Sequence, residues 1–175
     1  FRAFADKDEI RATIRSRDTG WLEDYVGVVI DTFGDDRDAI ALGVNALGSQ
    51  LDLKQTPGDR DEDTSWNILF FAETSFTDYG YSAEFKIPFA ELRYPDEEVQ
   101  EWSIGFVRKS FEPGTQTIFA DFTVYAQDQC FFCATDEVYV IQDLEETNRN
   151  YVYPYITVNQ KADRPVDNLK YQNPD

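Results

Sequence analysis

Asp59, Asp61 and Asp63 recur at every second position of one polar loop, the spacing at which alternate carboxylate oxygens can wrap a hard cation such as calcium. The full twelve-residue calcium-loop pattern is not met, because no glycine stands at its turn position and no glutamate at its twelfth. A solvated acidic loop therefore competes with a structural calcium site. Asp35, Asp36 and Asp38 form a second, weaker group of the same kind. Cys130 and Cys133 have the spacing of a redox motif, but their flanks read as loop then strand, whereas thioredoxin-like chemistry uses a helix start. A local disulfide in an oxidising compartment or a pair of buried thiols fits better, and two thiolates alone cannot complete a tetrahedral zinc site.

The other chemistry available is recognition of a polyol. A sugar is held by stacking its apolar face on an aromatic ring while carboxylates, amides and guanidinium groups bond its hydroxyls. Trp21 follows the turn sequence Asp18-Thr19-Gly20, which puts its ring on a loop, although packing at the edge of a core is an equal alternative. Trp66 opens an apolar segment just after the acidic loop and is either core or a second wall of a site, whereas Trp102 begins an alternating segment and belongs to the core. Arg17, Asp24, Asn45 and Gln50 lie near strand ends, where they can bond hydroxyls.

Composition removes several function classes. The chain has no histidine and no methionine, so no Ser-His-Asp triad, imidazole-based zinc site or His/Met-ligated haem can be assembled, and nothing points to a nucleotide cofactor. With 34 acidic and 16 basic residues the net charge is −18, which repels phosphate backbones and argues against nucleic acid as a partner. Carboxylate pairs for glycoside hydrolysis can be drawn anywhere among so many acids, so they single out no catalytic pair. No apolar stretch reaches the roughly 20 residues of a membrane helix.

These residues must be positioned by strands. A 175-residue chain with 42% apolar and 15% aromatic residues can bury a core. Strand patterns occur at 1–5, 10–15, 25–32, 39–46, 66–74, 80–87, 102–109, 117–125, 137–142 and 151–158, broken by turns such as Gly34-Asp35-Asp36-Arg37-Asp38. Many short strands with turn signals predict an all-β antiparallel sandwich. One short helix is expected at Pro88–Arg93, and in the hairpin before it Ala83, Phe85 and Ile87 should face inward while Glu84 and Lys86 face out. The polar stretch 55–64 reads as a long loop. The sandwich is expected to span residues 1–160, with 161–175 a linker or run-in to a following domain. The opening Phe1-Arg2-Ala3-Phe4-Ala5 alternates like the middle of a strand, so upstream residues are expected.

An ordered series of segments resembles the family 9 carbohydrate-binding-module-like domain found N-terminal to certain bacterial outer-membrane β-barrels. It runs through Arg17-Asp18, Glu23-Asp24-Tyr25-Val26-Gly27-Val28, Asp31-Thr32-Phe33, Arg37-Asp38-Ala39, Val44-Asn45-Ala46-Leu47-Gly48-Ser49-Gln50 and Asp63-Thr64-Ser65-Trp66-Asn67. It continues in Gly80-Tyr81-Ser82-Ala83-Glu84, Ile87-Pro88-Phe89-Ala90-Glu91-Leu92-Arg93 and Gln100-Glu101-Trp102-Ser103-Ile104-Gly105. The resemblance implies a jelly-roll-like sandwich exported to the cell envelope, non-catalytic, with glycan as ligand and a C-terminal outer-membrane β-barrel of the same protein as a possible partner. It also implies Trp21 as the first ring platform and raises the case for structural calcium. One departure is Gly27, where sugar-binding members often carry a glutamate. That departure favours the alternative reading, an interaction domain that docks on or plugs the barrel; a glycosidase domain is the least favoured.

Overall fold

A computed structural model describes residues 1–35, 37–55, 62–112, 115–120 and 137–144, with the side chains of 112, 115, 116 and 118–120 outside the description. Its strands are β1 (Arg2–Phe4), β2 (Tyr25–Asp31), β3 (Ala39–Asn45), β4 (Gln50–Gln55), β5 (Phe71–Thr77), β6 (Gly80–Lys86), β7 (Val99–Glu112), β8 (Thr115–Ala120) and β9 (Val138–Gln142). They form two antiparallel layers, a small sheet ordered β1-β6-β5 and a large one ordered β4-β3-β2-β7-β8, with β9 also paired to β7. The fold is thus the all-β sandwich the strand pattern predicts. A 3₁₀ turn, Phe89–Glu91, follows Pro88 and is the one short helix among the described residues.

The layers are held by alternation. Val26, Val28 and Ile30 of β2 point at the small sheet, where Ala3, Tyr81 and Ala83 meet Val26 and Val44 in one cluster. A second cluster gathers Val28, Ile30, Leu42, Ile68, Phe70, Leu92 and Trp102. Phe85 and Ile87 pack against this core and Glu84 and Lys86 are exposed, as the hairpin pattern predicts. Gly80 starts β6 at φ 139°, and a Cβ there would collide with the Ala3 carbonyl oxygen, so the β1–β6 pairing requires glycine.

β2 is buried on both faces, since Tyr25, Gly27, Val29 and Asp31, which point away from the small sheet, are buried too. Gly27 pairs with Gly43 on one side and Val107 on the other. A Cβ at Gly27 would lie 2.6 Å from the Leu42 carbonyl oxygen and 3.2 Å from Val107 Cγ1. The centre of this sheet therefore has no room for a side chain at position 27.

Three sequence expectations need correction. Residues 10–15 alternate but form no strand. Their backbone N–H groups are bonded at every second position by side chains: Arg11 N–H to Asp24 Oδ2 (2.6 Å), Thr13 N–H to Glu23 Oε2 (3.0 Å) and Arg15 N–H to Ser49 Oγ (2.9 Å). The predicted strand 66–74 begins only at Phe71. Ahead of it, Ile68 N–H donates to Asp52 Oδ2 (2.8 Å), and the Ile68 and Phe70 carbonyls accept from Arg17 and Gln50. β4 is an additional strand whose Leu51 and Leu53 alternate with Gln50, Asp52 and Lys54. The predicted strand 151–158, residues 121–125 of another, most of the 55–64 loop, and 161–175 lie outside the described residues.

Candidate functional site

The carboxylates and amides singled out in the sequence mostly satisfy the chain's own donors. Glu23, 7% exposed, accepts from Thr13 N–H (3.0 Å), Asn45 Nδ2 (3.0 Å), Arg15 Nε (2.5 Å) and the Thr13 hydroxyl. Burial alone would raise its pKa, but these hydrogen bonds outweigh it and hold the carboxyl at about 2, against an ordinary 4.5. Asn45 donates to the Thr13 carbonyl (2.8 Å) and its Oδ1 receives Leu47 N–H (3.0 Å) and Ser49 N–H (2.9 Å). Asp24 receives Arg11 N–H and Phe111 N–H.

Arg17 and Gln50 are brought together with a residue not singled out in the sequence, Asp52. Arg17 Nε is bonded to Asp52 Oδ1, its Nη1 donates to Gln50 Oε1 (3.0 Å), its Nη2 to the Ile68 carbonyl (2.5 Å), and its guanidinium lies 5.1 Å from the Phe70 ring centre. Asp52 is wholly buried, and its N–H donates to Asp18 Oδ1 (2.6 Å). Burial, with the neighbouring Asp52 charge, pushes the Asp18 carboxyl up to about 6. This cluster pins β4 to the 66–70 segment and exposes no hydroxyl-binding array.

Trp21 is half-buried. Its ring meets Tyr25 edge-on (5.5 Å between centres) and packs against Leu51 and Val107, on the face of the large sheet turned away from the sandwich core. Lys109 Nζ donates to the Trp21 carbonyl, and the Trp21 indole N–H is buried without a hydrogen-bond partner. The ring fills a corner of that face.

Trp66 is placed differently. It lines a cleft of about 760 Å³ at one end of the sandwich, within the usual range for small-molecule sites. Ile30, Ile40, Ile68 and Leu92 give the cleft its apolar lining, with Trp66 and Phe33 as aromatic walls. Asp38, Lys54, Asn67, Glu91 and Arg93 supply polar groups. Trp66 is half-buried and also packs against the core cluster of Ile68, Leu92 and Trp102, and its indole N–H makes no hydrogen bond among the described residues.

Each wall is fixed by local chemistry. Asp31 Oδ1 receives Phe33 N–H (2.9 Å) and Gly34 N–H (3.0 Å), a side-chain turn that ends β2 and presents the half-exposed Phe33 ring. The Thr32 hydroxyl donates to the Arg93 carbonyl, tying that turn to the chain after the 3₁₀ turn. Leu92 is buried, Phe89 meets Trp102 edge-on (5.3 Å) and Tyr94 packs on the same ring (5.5 Å). Trp102 itself donates to Gln100 Oε1 (3.3 Å), and Gln100 Nε2 in turn donates to the Pro95 and Glu97 carbonyls. Arg93 is therefore held between two anchored neighbours. Across the cleft Lys54 Nζ lies 3.3 Å from Asp38 Oδ2.

Of the acidic groups considered for calcium, Asp63 uses Oδ1 to accept from Ser65 N–H (2.9 Å) and Ser65 Oγ (2.6 Å), and its carboxyl sits below the ordinary range because of these bonds. Asp35 Oδ1 accepts from Arg37 N–H (3.1 Å). Among the described residues no three acidic, histidine or cysteine side chains converge as a metal site would require. Asp36, Asp59, Asp61, Cys130 and Cys133 lie outside the described residues. Phe33, Lys54, Asn67, Glu91 and Arg93 are cleft residues that sequence reasoning did not single out; Phe33, Glu91 and Arg93 sat in segments, Asp31-Thr32-Phe33 and Ile87–Arg93, read as architecture. No protein-family model, curated protein or solved structure matches this chain.

Proposed function

We propose that this chain is a non-catalytic carbohydrate-binding module of an exported cell-envelope protein, and that its ligand platform is Trp66 in the terminal cleft. The observation that carries the reading is the pairing of a half-buried indole with an apolar lining and several polar side chains in one cleft. A pyranose stacks its C–H face on such a ring while Asn67, Asp38 and their neighbours bond its hydroxyls. The ordered likeness to family 9 modules supports the same class of ligand. Isothermal titration against an oligosaccharide panel tests it: the chain binds at least one glycan, Trp66→Ala abolishes the heat with the sandwich intact by circular dichroism, and Trp21→Ala leaves binding in place. Absence of binding across the panel, or loss in Trp21→Ala alone, refutes the proposal.

A second reading has one observation in its favour. The close strand approach at Gly27 excludes the glutamate of sugar-binding relatives, as expected for a sandwich that docks on a β-barrel of the same protein. Cross-links between the sandwich and such a barrel, with no glycan bound, would favour it.

A further inference from the structure

We propose that the cleft selects an acidic glycan, with Arg93 as the group that receives a sugar carboxylate. This deepens the carbohydrate-binding reading and rests on it. Among the described residues three of the cations are held by carboxylates. Arg15 is paired with Glu23, Arg17 with Asp52 and Lys54 with Asp38. The exposed Arg93, like Arg2, Lys7, Lys86 and Arg108, makes no ion pair among the described residues, but of these it alone lines the cleft. Its backbone is fixed by the Thr32 hydroxyl and by its buried neighbour Leu92, so the guanidinium is carried on an anchored stretch of chain.

The chemistry favours a carboxylate over a hydroxyl. A guanidinium offers a planar fork of N–H donors that matches a carboxylate with two parallel charge-assisted hydrogen bonds, about twice as strong as neutral ones. Lys54 is already occupied by Asp38 and would cross-link one side of the cleft rather than compete for the ligand. The net charge of −18 opposes the approach of an anion, but beyond about 8 Å it is screened at physiological ionic strength. Contact with Arg93 then decides the preference, while Trp66 supplies the stacking surface that acidic and neutral pyranoses share.

Three oligosaccharide mixtures test this by titration calorimetry: fragments of polygalacturonate, of alginate and of glucuronoxylan, each beside its counterpart with the carboxyl groups reduced to alcohols. At least one acidic member binds tenfold or more tightly than its reduced counterpart, and Arg93→Gln removes most of that difference by weakening the acidic member far more than the reduced one. Raising the salt concentration narrows the same gap. Equal or tighter binding of the reduced sugars, or a preference unchanged in Arg93→Gln, overturns the acidic selectivity and leaves the carbohydrate reading standing. Binding of neither acidic nor neutral sugars, here and across the wider neutral panel, overturns both.

Discussion

Replacing Glu23 by glutamine exposes how the N-terminal segment is held. The carboxylate receives four hydrogen bonds, two from Thr13 and one each from Arg15 and Asn45. Glutamine keeps one acceptor oxygen but turns an NH₂ group toward the donors at the other site, so two of the four bonds are lost whichever way the amide is turned, and the rest lose their charge assistance. A folded pKa of about 2 against an ordinary 4.5 means that the folded state holds the charged form preferentially. At about 1.4 kcal/mol per pKa unit, discounted for partial solvent screening, this contributes roughly 2–3 kcal/mol. The sign follows from the lowered value: the contribution is fully present above pH 4.5 and is lost as pH falls through 2. Urea denaturation of wild type and Glu23→Gln across this range measures it, because titration of the other carboxyls is common to both proteins and cancels in the difference. Wild type is more stable by roughly 2–3 kcal/mol at pH 7, and the gap closes toward pH 2. A gap independent of pH would refute the charge-based account of this anchor.

Gly27→Ala loses about 1–3 kcal/mol of stability by thermal or urea unfolding, since its Cβ meets the Leu42 carbonyl at 2.6 Å within a paired strand; an unchanged midpoint would mean the strands separate easily. Arg17→Ala leaves the wholly buried Asp52 carboxylate without its cation and costs about 3 kcal/mol or more, and adding Asp52→Asn recovers part of that in the same measurement. Asp18 titrates near 6 in the fold, above its ordinary 3.8, so its ionisation destabilises the protein as pH rises through that interval. Asp18→Asn accordingly raises the melting temperature above pH 6 and much less at pH 4; asparagine also tolerates the φ of 62° at this position.

The sandwich was legible because its central hairpin states itself plainly. Tyr25–Asp31 and Ala39–Asn45 are strongly apolar, β-branched runs separated by an Asp/Gly turn, and both are strands at nearly the expected bounds. Residues 10–15 and 66–70 misled for a shared physical reason. Ile10, Ala12, Ile68 and Phe70 do pack inward, although Ile14 is exposed, but Glu23, Asp24, Ser49 and Asp52 take the role of a neighbouring strand's carbonyls. Period-2 patterning reports which side chains are buried and is blind to what the backbone bonds. β4 was missed because Gln50, Asp52 and Lys54 occupy the side of the strand facing the small sheet's layer, where apolar residues are the usual signal.

The candidate cleft was half legible. Trp66 could be named as a possible wall from its place after the acidic loop, but whether its ring is reachable depends on where the β2–β3 turn and the 3₁₀ turn come to rest. Trp21 had the better local credentials, a turn sequence before it, yet Tyr25, Leu51 and Val107 give its ring a packing surface that no local pattern announces. Arg93 escaped notice because its place in the cleft depends on segments distant in sequence.

The three tryptophans allow the central claim to be read from a single spectrum. Trp102 and Trp21 keep their indole N–H groups inside the protein, whereas Trp66 lines the cleft. In a ¹⁵N-labelled sample titrated with the tightest-binding oligosaccharide, the Trp66 indole resonance shifts with saturation while those of Trp21 and Trp102 stay in place. A saturating shift at Trp21 with Trp66 unmoved would contradict the account.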